Sequence, residues 1–507
     1  MYRCALVCLF RLGRNTMLLE VLNSVFSFQI LFFIILGVFT GICIGSLPGL
    51  TATMGVALVL PLTFGMEAIP GILLLIGVYV GAIYGGSISA ILLRTPGTPA
   101  AAATVLDGFE FSKRGESGRA LGISTVSSFI GGVVSVLALW LISPQLAKLA
   151  LRFSAPEFFL LAVFGLSIIA SISGNSLAKG VLCGALGISL SFIGIDSITG
   201  YPRFTFNNIN LLSGMSFIPV MIGLFAMSQA FTTVEKIFTP DQVTQKISKV
   251  WPTRSDWKVI LKHAPISGVI GTIIGIVPGA GAEIGAFVSY GQAKRMSKHP
   301  ERFGTGIPEG IAAPEAGNNG VTGGALIPML TMGVPGDAVA AILIGALTVQ
   351  GLQPGPLLFT EHTTLVYSIF LGMFVANISV LLLGLSSLKL FVKVLSVPKA
   401  ILTPMIFVLC VVGSYAINTN FFDVGVMLFF GILGYFLQKA DVSVSPAVLG
   451  LILGPMAESN FRRALLMSEG SYSIFIASPI AWVFLVLTLI TLLGPVVGDA
   501  IKKKRKT

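Results

Sequence analysis

Two long apolar stretches of this chain are interrupted by Pro-Gly, and in each case a Gly-Gly and a second Pro-Gly follow at nearly the same spacing. The first set is Pro48-Gly49, Gly85-Gly86 and Pro96-Gly97. The second set is Pro278-Gly279, Gly323-Gly324 and Pro335-Gly336. Proline lacks a backbone donor and clashes with the preceding helical turn, while glycine lets the chain turn, so each pair ends a helix. Interrupted apolar segments at corresponding positions predict an internal repeat whose breaks form a binding site.

Composition places these stretches in a membrane. Of 507 residues, 54% are hydrophobic and 10% are charged, whereas a soluble globular chain carries about 25% charged residues. Many apolar stretches approach the roughly 20 residues needed to cross a bilayer. The predicted fold class is therefore an all-α polytopic membrane protein. The net charge of +11 comes mostly from short loops and the tail, which indicates a positive-inside topology rather than a nucleic-acid partner.

Loop charges predict how the two copies are oriented. The 234–263 loop and the C-terminal tail are rich in Lys and Arg, so both are expected in the cytoplasm. Loop 107–119 is basic, whereas its counterpart 350–362 has no Lys or Arg. After the first break the bias is reversed, because 294–302 is basic and its counterpart 66–70 is not. Opposite bias at equivalent loops predicts inverted repeats.

These features divide the chain into seven parts. The first repeat covers 17–119 and the second covers 264–362. The remaining parts are connecting membrane helices at 120–233, the cytoplasmic loop at 234–263, C-terminal membrane helices at 363–500 and a basic cytoplasmic tail at 501–507. Residues 1–16 carry three arginines on the side expected to lie outside, so we expect them to be a mis-assigned N-terminal extension, with translation starting at Met17.

The breaks expose groups that bind ions. A helix that starts after a break presents free N–H groups that suit a carboxylate, and a helix that ends before one presents carbonyl oxygens that suit Na⁺. The alternative is a set of kinks that ease packing. The predicted substrate-binding residues are those of the breaks, neighbouring hydroxyls and two amides: Pro48, Gly49, Thr51, Thr53, Gly86, Ser87, Thr95, Pro96, Gly97, Thr98, Pro278, Gly279, Asn318, Asn319, Pro335 and Gly336. Arg94 would either clamp the substrate or reach water or an acid.

The second copy carries acids that the first copy lacks at matching positions. Glu283 follows Pro278-Gly279 by one turn, Asp337 follows Pro335-Gly336 directly, and Glu315 shares a helical face with two asparagines. An acid inside a membrane span is expected to be functional, here by coordinating a coupling cation such as Na⁺ or by carrying a proton. The alternative roles are an N-cap for Asp337 and a rim residue for Glu315. No firm metal site and no cofactor are predicted.

At these residues the chain resembles the large membrane subunit of the tripartite tricarboxylate transporters of bacteria. The similarity runs from Met17 to about Gly498 and is most specific at 275–356, with support from 45–64, 85–102 and 199–225. It implies a secondary active transporter in the inner membrane that imports citrate or other carboxylates on a Na⁺ or H⁺ gradient. It also implies a small four-helix membrane subunit and a periplasmic solute-binding protein as partners. An elevator-type fold, with the broken segments in the mobile part, is expected by analogy.

Two other functions are weighed against ion-coupled uptake. A passive anion channel needs a continuous pore lined by rings of one charge, and the paired breaks argue against it. An intramembrane enzyme needs a Ser-His, Cys-His or His-rich metal constellation, and the apolar spans contain none. The sequence therefore favours transport.

Overall fold

The computed structural model describes residues 19–167, 169, 177–196, 198–235, 250–395, 397 and 399–504. The predicted N-terminal extension and residues 236–249 of the predicted 234–263 loop lie outside this part. Within it the chain is helical almost throughout, with one two-stranded antiparallel sheet in which β1 (Gly194–Ile195) pairs with β2 (Pro202–Arg203). The predicted all-α class is confirmed.

The helices fall into four consecutive groups. The first is α1 (Phe28–Ser46), α2 (Ala52–Val59), α3 (Ala68–Leu93), α4 (Ala102–Lys113) and α5 (Ser117–Ala150). The second is α6 (Ala155–Ser167), α7 (Leu177–Ser191) and α8 (Phe217–Glu235), whose middle turn Ile222–Met227 is a π-helix. The third is α9 (Arg254–Ile276), α10 (Gly281–Met296), α11 (Glu309–Met332), α12 (Ala338–Val349) and α13 (Thr363–Ser386). The fourth is α14 (Leu388–Leu395), α15 (Lys399–Asn418), α16 (Phe421–Lys439), α17 (Ser445–Met467) and α18 (Pro479–Lys504).

Eight of the described helices are long and apolar enough to cross a membrane. They are α1, α3, α5, α8, α9, α13, α15 and α16. Shorter apolar helices include α12 and the segment Ala52–Thr63, which contains α2. Both follow a Pro-Gly break and are too short to span the hydrocarbon core, which takes about 20 residues. The chain is therefore a multi-pass membrane protein that also contains short apolar helices after its Pro-Gly breaks.

The two repeats contain the same succession of helices. In each, a long helix, a break, a second helix, a further long helix, a second break and a short helix follow one another, as α1 to α4 and as α9 to α12. In both, the two long helices touch along glycines. A Cβ added to Gly41 would lie 2.3 Å from the carbonyl oxygen of Val78, and one added to Gly271 would lie 2.0 Å from that of Gly317. Small residues let membrane helices approach this closely.

Loops of the two repeats contact each other in crossed pairs. Arg114, between α4 and α5, donates to carbonyl oxygens of residues 305–306, between α10 and α11. Gln350, after α12, donates to the carbonyl oxygen of Thr63, between α2 and α3, at 3.1 Å. The loop that ends the first repeat therefore meets an internal loop of the second, and the loop that ends the second meets an internal loop of the first.

Asp107 strengthens the first of these contacts. Its buried carboxylate, on α4, accepts hydrogen bonds from the backbone N–H groups of Gly304 at 3.0 Å, Gly306 at 2.8 Å and Ile307 at 3.1 Å. The Tyr290 hydroxyl donates a further bond at 2.9 Å. These donors satisfy a charge that would otherwise be costly to bury.

A four-residue ion cluster fixes the loop between α7 and α8. Arg203 forms two bonds to Glu458 on α17, at 2.5 and 3.1 Å, and lies 3.2 Å from Asp196. Arg462 also donates to Asp196. Backbone N–H groups of Thr199 and residue 198, together with Arg462, hold the pKa of Asp196 below its usual range.

Candidate functional site

The first Pro-Gly break has the same backbone shape in both repeats. Leu47 after α1 and Val277 after α9 are both extended. Gly49 and Gly279 then adopt left-handed φ angles of 93° and 77°. Glycine is favoured at such angles because a Cβ would collide with the backbone. Each break turns the chain in the same way.

The second Pro-Gly loop of each repeat rests on the helix that precedes the first break. A Cβ added to Gly97 would lie 2.0 Å from the carbonyl oxygen of Gly45, and one added to Gly336 would lie 2.5 Å from that of Gly275. The Gly279 amide also donates to the carbonyl oxygen of Gly336 at 2.6 Å. The two breaks of each repeat are therefore one packed unit.

Breaks from both repeats border the smaller of two adjoining cavities, of about 210 Å³. The larger cavity, of about 420 Å³, is bordered by the breaks of the second repeat. The smaller cavity is lined by Thr51, Ala52, Thr53, Ile83, Thr98, Pro99, Ala100, Phe225, Gly281, Ala282, Glu283, Asp337, Ala338, Val339 and Ser445. The larger shares Phe225, Gly281, Glu283, Asp337, Ala338 and Ser445, and adds Gly279, Ala280, Ile284, Ala341, Ser443, Val448 and Leu449. The two repeats, α8 and the start of α17 meet around one candidate site.

The first turn of α10 opens into both cavities. Gly281 and Glu283 line both, and no side chain caps this helix start. By contrast, Thr51 caps α2 and Asp337 caps α12 through their side-chain oxygens. Uncapped N–H groups carry a partial positive charge, so of these three helix starts α10 is the one suited to bind an anionic group.

Asp337 joins the two repeats at the cavity wall. Its side chain is 8% exposed, and one carboxylate oxygen accepts a bond from the Ala340 N–H at 2.7 Å. The other oxygen accepts a bond from the hydroxyl of Tyr79, a fully buried residue of α3, at 2.5 Å. The N-cap role considered for Asp337 is confirmed, and the same carboxylate lines the site.

The charged side chains that line the cavities are both acids, Glu283 and Asp337; among the described residues, no Lys, Arg or His lines either cavity. Arg94 lies exposed at the end of α3, 5.8 Å from the ring centroid of Phe109. No group of three or more His, Cys, Asp or Glu side chains that could hold a metal ion occurs in the described part of the chain. An anion in this site would meet N–H and hydroxyl groups and two carboxylates.

Glu315 lies in a separate, fully buried polar cluster. Its carboxylate accepts hydrogen bonds from the hydroxyls of Thr104 at 2.5 Å, Ser128 at 3.1 Å and Ser124 at 3.3 Å. Thr104 belongs to α4 of the first repeat and the two serines belong to the adjoining α5, whereas Glu315 belongs to α11 of the second repeat. The cluster is therefore a second place where polar groups of both repeats meet.

The structure divides the predicted site residues into three sets. The cavities are lined by Thr51, Thr53, Thr98, Gly279, Glu283 and Asp337. The breaks and their packing are formed by Pro48, Gly49, Gly86, Ser87, Thr95, Pro96, Gly97, Pro278, Pro335 and Gly336. The buried cluster contains Glu315, Asn318 and Asn319. Substrate contact and cation coupling remain predictions for all of these residues.

Three residues at the site have no signal in the sequence. Phe225 faces both cavities from the π-helical turn of α8, Ser445 lies at the start of α17, and Tyr79 binds Asp337. All three lie in apolar stretches or helix ends with no break motif. A π-turn often marks a functional position, but it is visible only in the backbone.

Comparison with known proteins identifies the family of the chain. The model of the tripartite tricarboxylate transporter TctA family matches residues 31–449. A 52.8 kDa protein of the TAR-I ttuC' 3' region of Agrobacterium vitis is 36% identical over 445 residues, covering 88% of this chain and 89% of the relative. A protein of the TAR-II ttuC' 3' region of the same organism is 39% identical over 220 residues, covering 43% of this chain and 91% of the relative. No solved structure matches the chain. The chain belongs to the tripartite tricarboxylate transporter TctA family.

Proposed function

We propose that this chain is the transporting subunit of a secondary active system that imports tricarboxylates or related carboxylates. Membership of the TctA family supports a tricarboxylate transporter. The observation that carries the proposal is the shared cavity, where breaks of both repeats and the uncapped start of α10 converge. The substrate carboxylate binds the free N–H groups of α10, and the Thr53 and Thr98 hydroxyls complete its contacts.

The charge of the cavity supports coupling to a cation. Glu283 and Asp337 repel a carboxylate, and no basic side chain of the described residues lines the cavity to offset them. Two unit charges 4 Å apart interact by about 4 kcal/mol at an effective dielectric of 20. A carboxylate therefore enters together with Na⁺ or H⁺, which neutralises these acids. The import of substrate is thereby tied to an ion gradient.

The crossed loop contacts support inverted repeats. The loop at Arg114 pairs with residues 305–306, and the loop at Thr63 pairs with Gln350. In parallel repeats each loop would share a membrane side with its own counterpart. Here each loop contacts the non-equivalent loop of the other copy, which is the pairing expected when equivalent loops lie on opposite sides of the membrane. The basic loops 107–119 and 294–302 then share the cytoplasmic side with the C-terminal tail.

The close packing of the breaks within each repeat supports an elevator-type movement. In each repeat the two breaks pack through glycine backbones that a side chain would separate. Such units move as rigid bodies more readily than they deform. We propose that they carry the cavity across the bacterial inner membrane. The tripartite family implies partner subunits and a solute-binding protein, and we assign these to a small four-helix membrane subunit and a periplasmic protein.

Uptake of labelled citrate by membrane vesicles that contain the complete system tests the proposal. We expect accumulation that an imposed Na⁺ or H⁺ gradient drives and an ionophore abolishes. Thr53→Val, which keeps the volume of the side chain but removes its hydroxyl, is expected to raise the half-saturation concentration. The matched control is Thr95→Val, because Thr95 is exposed outside both cavities. Equilibration without accumulation would instead indicate a passive channel.

A further inference from the structure

Glu315 is a buried acid that lies outside both cavities. Its side chain is completely excluded from solvent in the second turn of α11, and it lines neither cavity. Moving an isolated ionised carboxylate into an apolar interior costs far more than a few hydrogen bonds return, so such a group is normally paired or neutralised. The groups around it therefore decide its charge state.

The polar groups bonded to Glu315 are all neutral. Three are the hydroxyls of Thr104, Ser124 and Ser128, and the fourth is the Asn318 amide at 3.5 Å. No Lys, Arg or His among the described residues bonds to this carboxylate. With no counter-charge, burial shifts the balance from the carboxylate toward the protonated acid.

Charged and titratable groups on the packed helices are engaged elsewhere. Tyr84 of α3 faces Glu315 but bonds to Thr125 at 2.8 Å. Asp107 of α4 is held by Tyr290 of α10, and Arg119 of α5 is held by Asp256 of α9. His263 of α9 interacts electrostatically with Lys262 and with Glu309 at the start of α11. None of these groups bonds to the Glu315 carboxylate.

The cluster suits a proton better than a metal ion. It holds one carboxylate, and the Asn318 oxygen already accepts a bond from Asn319 at 2.8 Å. A hydroxyl donates to an ionised carboxylate and, by rotating its O–H bond, accepts from a protonated one. The Thr104 and Ser128 hydroxyls can therefore satisfy both forms of Glu315 without movement of a heavy atom.

One short segment connects this cluster to the cavity. The carbonyl oxygen of Ala100 accepts a bond from the Asn318 amide at 3.1 Å. Thr98, Pro99 and Ala100 also line the smaller cavity. The segment lies in the second Pro-Gly loop of the first repeat, so a change in the Asn318 amide bears directly on the cavity wall.

We propose that Glu315 is a proton-binding residue, spatially separate from the substrate cavity, that couples proton entry to transport through the Asn318–Ala100 contact. The proposal rests on the proposed function. When the cluster is open to the outer water, a proton joins one carboxylate oxygen and the acid becomes neutral. When it is open to the cytoplasm, the same proton returns to water and the carboxylate is restored. No other bond forms or breaks.

Glu315→Gln tests the proposal because the amide mimics the protonated acid in shape and charge. Membrane vesicles that contain the complete system are loaded with unlabelled citrate, and exchange of labelled citrate is measured alongside accumulation driven by an imposed pH gradient. We expect exchange to persist and pH-driven accumulation to be lost completely. Glu283→Gln is the matched comparison, since it alters a cavity acid and is expected to weaken exchange itself.

Three results would overturn the proposal. One is pH-driven accumulation by Glu315→Gln at the wild-type level. Another is loss of exchange in a Glu315→Gln protein that is present in the membrane at the normal amount and melts at the normal temperature. The third is wild-type accumulation that follows a Na⁺ gradient and ignores a pH gradient. Failure of the wild type to exchange citrate at all would instead count against the proposed function.

Discussion

At the scale of single residues, Asp337 shows how one side chain serves structure and site together. It caps α12 through the Ala340 N–H and bonds to Tyr79 across the repeat boundary, while its carboxylate lines the cavity. A cap is available to aspartate and asparagine alike, whereas the negative charge is not. The two roles can therefore be separated by substitution.

Asp337→Asn is expected to abolish citrate exchange while the protein still folds. The asparagine oxygen keeps the bond to the Ala340 N–H, so the thermal midpoint should change little, but the charge that attracts a cation is lost. Asp337→Ala, which removes cap and charge, should in addition lower stability by about 1 kcal/mol. Exchange assays and thermal unfolding in detergent measure the two effects. Wild-type exchange by the asparagine variant would remove Asp337 from the coupling site.

Asp196 makes stability depend on pH. Because bonds from backbone N–H groups and Arg462 lower its pKa in the folded state, the stabilisation is fully present above the ordinary aspartate pKa of about 3.9 and is lost as the pH falls below it. The thermal midpoint should therefore drop on acidification, and Asp196→Asn should reduce that drop. Asp441→Asn, at an exposed aspartate, is the control. Equal acid sensitivity of all three proteins would contradict the prediction.

The sequence predicted the residues whose chemistry is local. Thr51, Thr53, Glu283 and Asp337 stand beside Pro-Gly pairs, and they line the cavity because a break determines what its neighbours face. Phe225 could not be predicted in this way. Its position depends on a π-turn and on the packing of α8 against both repeats, which are tertiary properties.

At the scale of helices, the contacts that glycines make between helices can be tested directly by substitution. Gly41→Ala would place a Cβ 2.3 Å from the Val78 carbonyl oxygen, and overpacking of this kind costs about 1–3 kcal/mol. Gly425 on α16 has no atom within 4 Å of an added Cβ. Gly425→Ala should therefore be neutral or stabilising by up to about 1 kcal/mol, since alanine is the better helix former. Thermal unfolding and expression of the folded protein, measured for both variants, should show that Gly41→Ala destabilises the protein and that Gly425→Ala does not.

The pairing of long helices was less predictable than their existence. Apolar length alone indicates a span, as for α3 and α13, and the structure bears this out. Which span packs on which depends on glycines that face each other across the interface. A single sequence shows the glycines without showing their partners.

At the scale of the whole molecule, the crossed loop contacts predict sidedness. Single cysteines at positions 115 and 298 should lie on one side of the membrane, and single cysteines at positions 67 and 361 on the other. All four positions are exposed. Each cysteine is introduced into a variant whose native cysteines have been replaced. An impermeant maleimide applied to intact spheroplasts should label 67 and 361, and permeabilisation should add 115 and 298. Labelling of 67 together with 115 would contradict inverted repeats.

The hydrogen bonds that Asp107 accepts have a consequence for biosynthesis. The backbone donors that satisfy this carboxylate lie at residues 304–307, nearly two hundred positions further along the chain. While the ribosome is still making the intervening helices, α4 holds a charged group that has no native partner. The native contacts of the first repeat are therefore completed only after residues 304–307 of the second repeat have been made. The order of synthesis makes the second copy the one that completes the first.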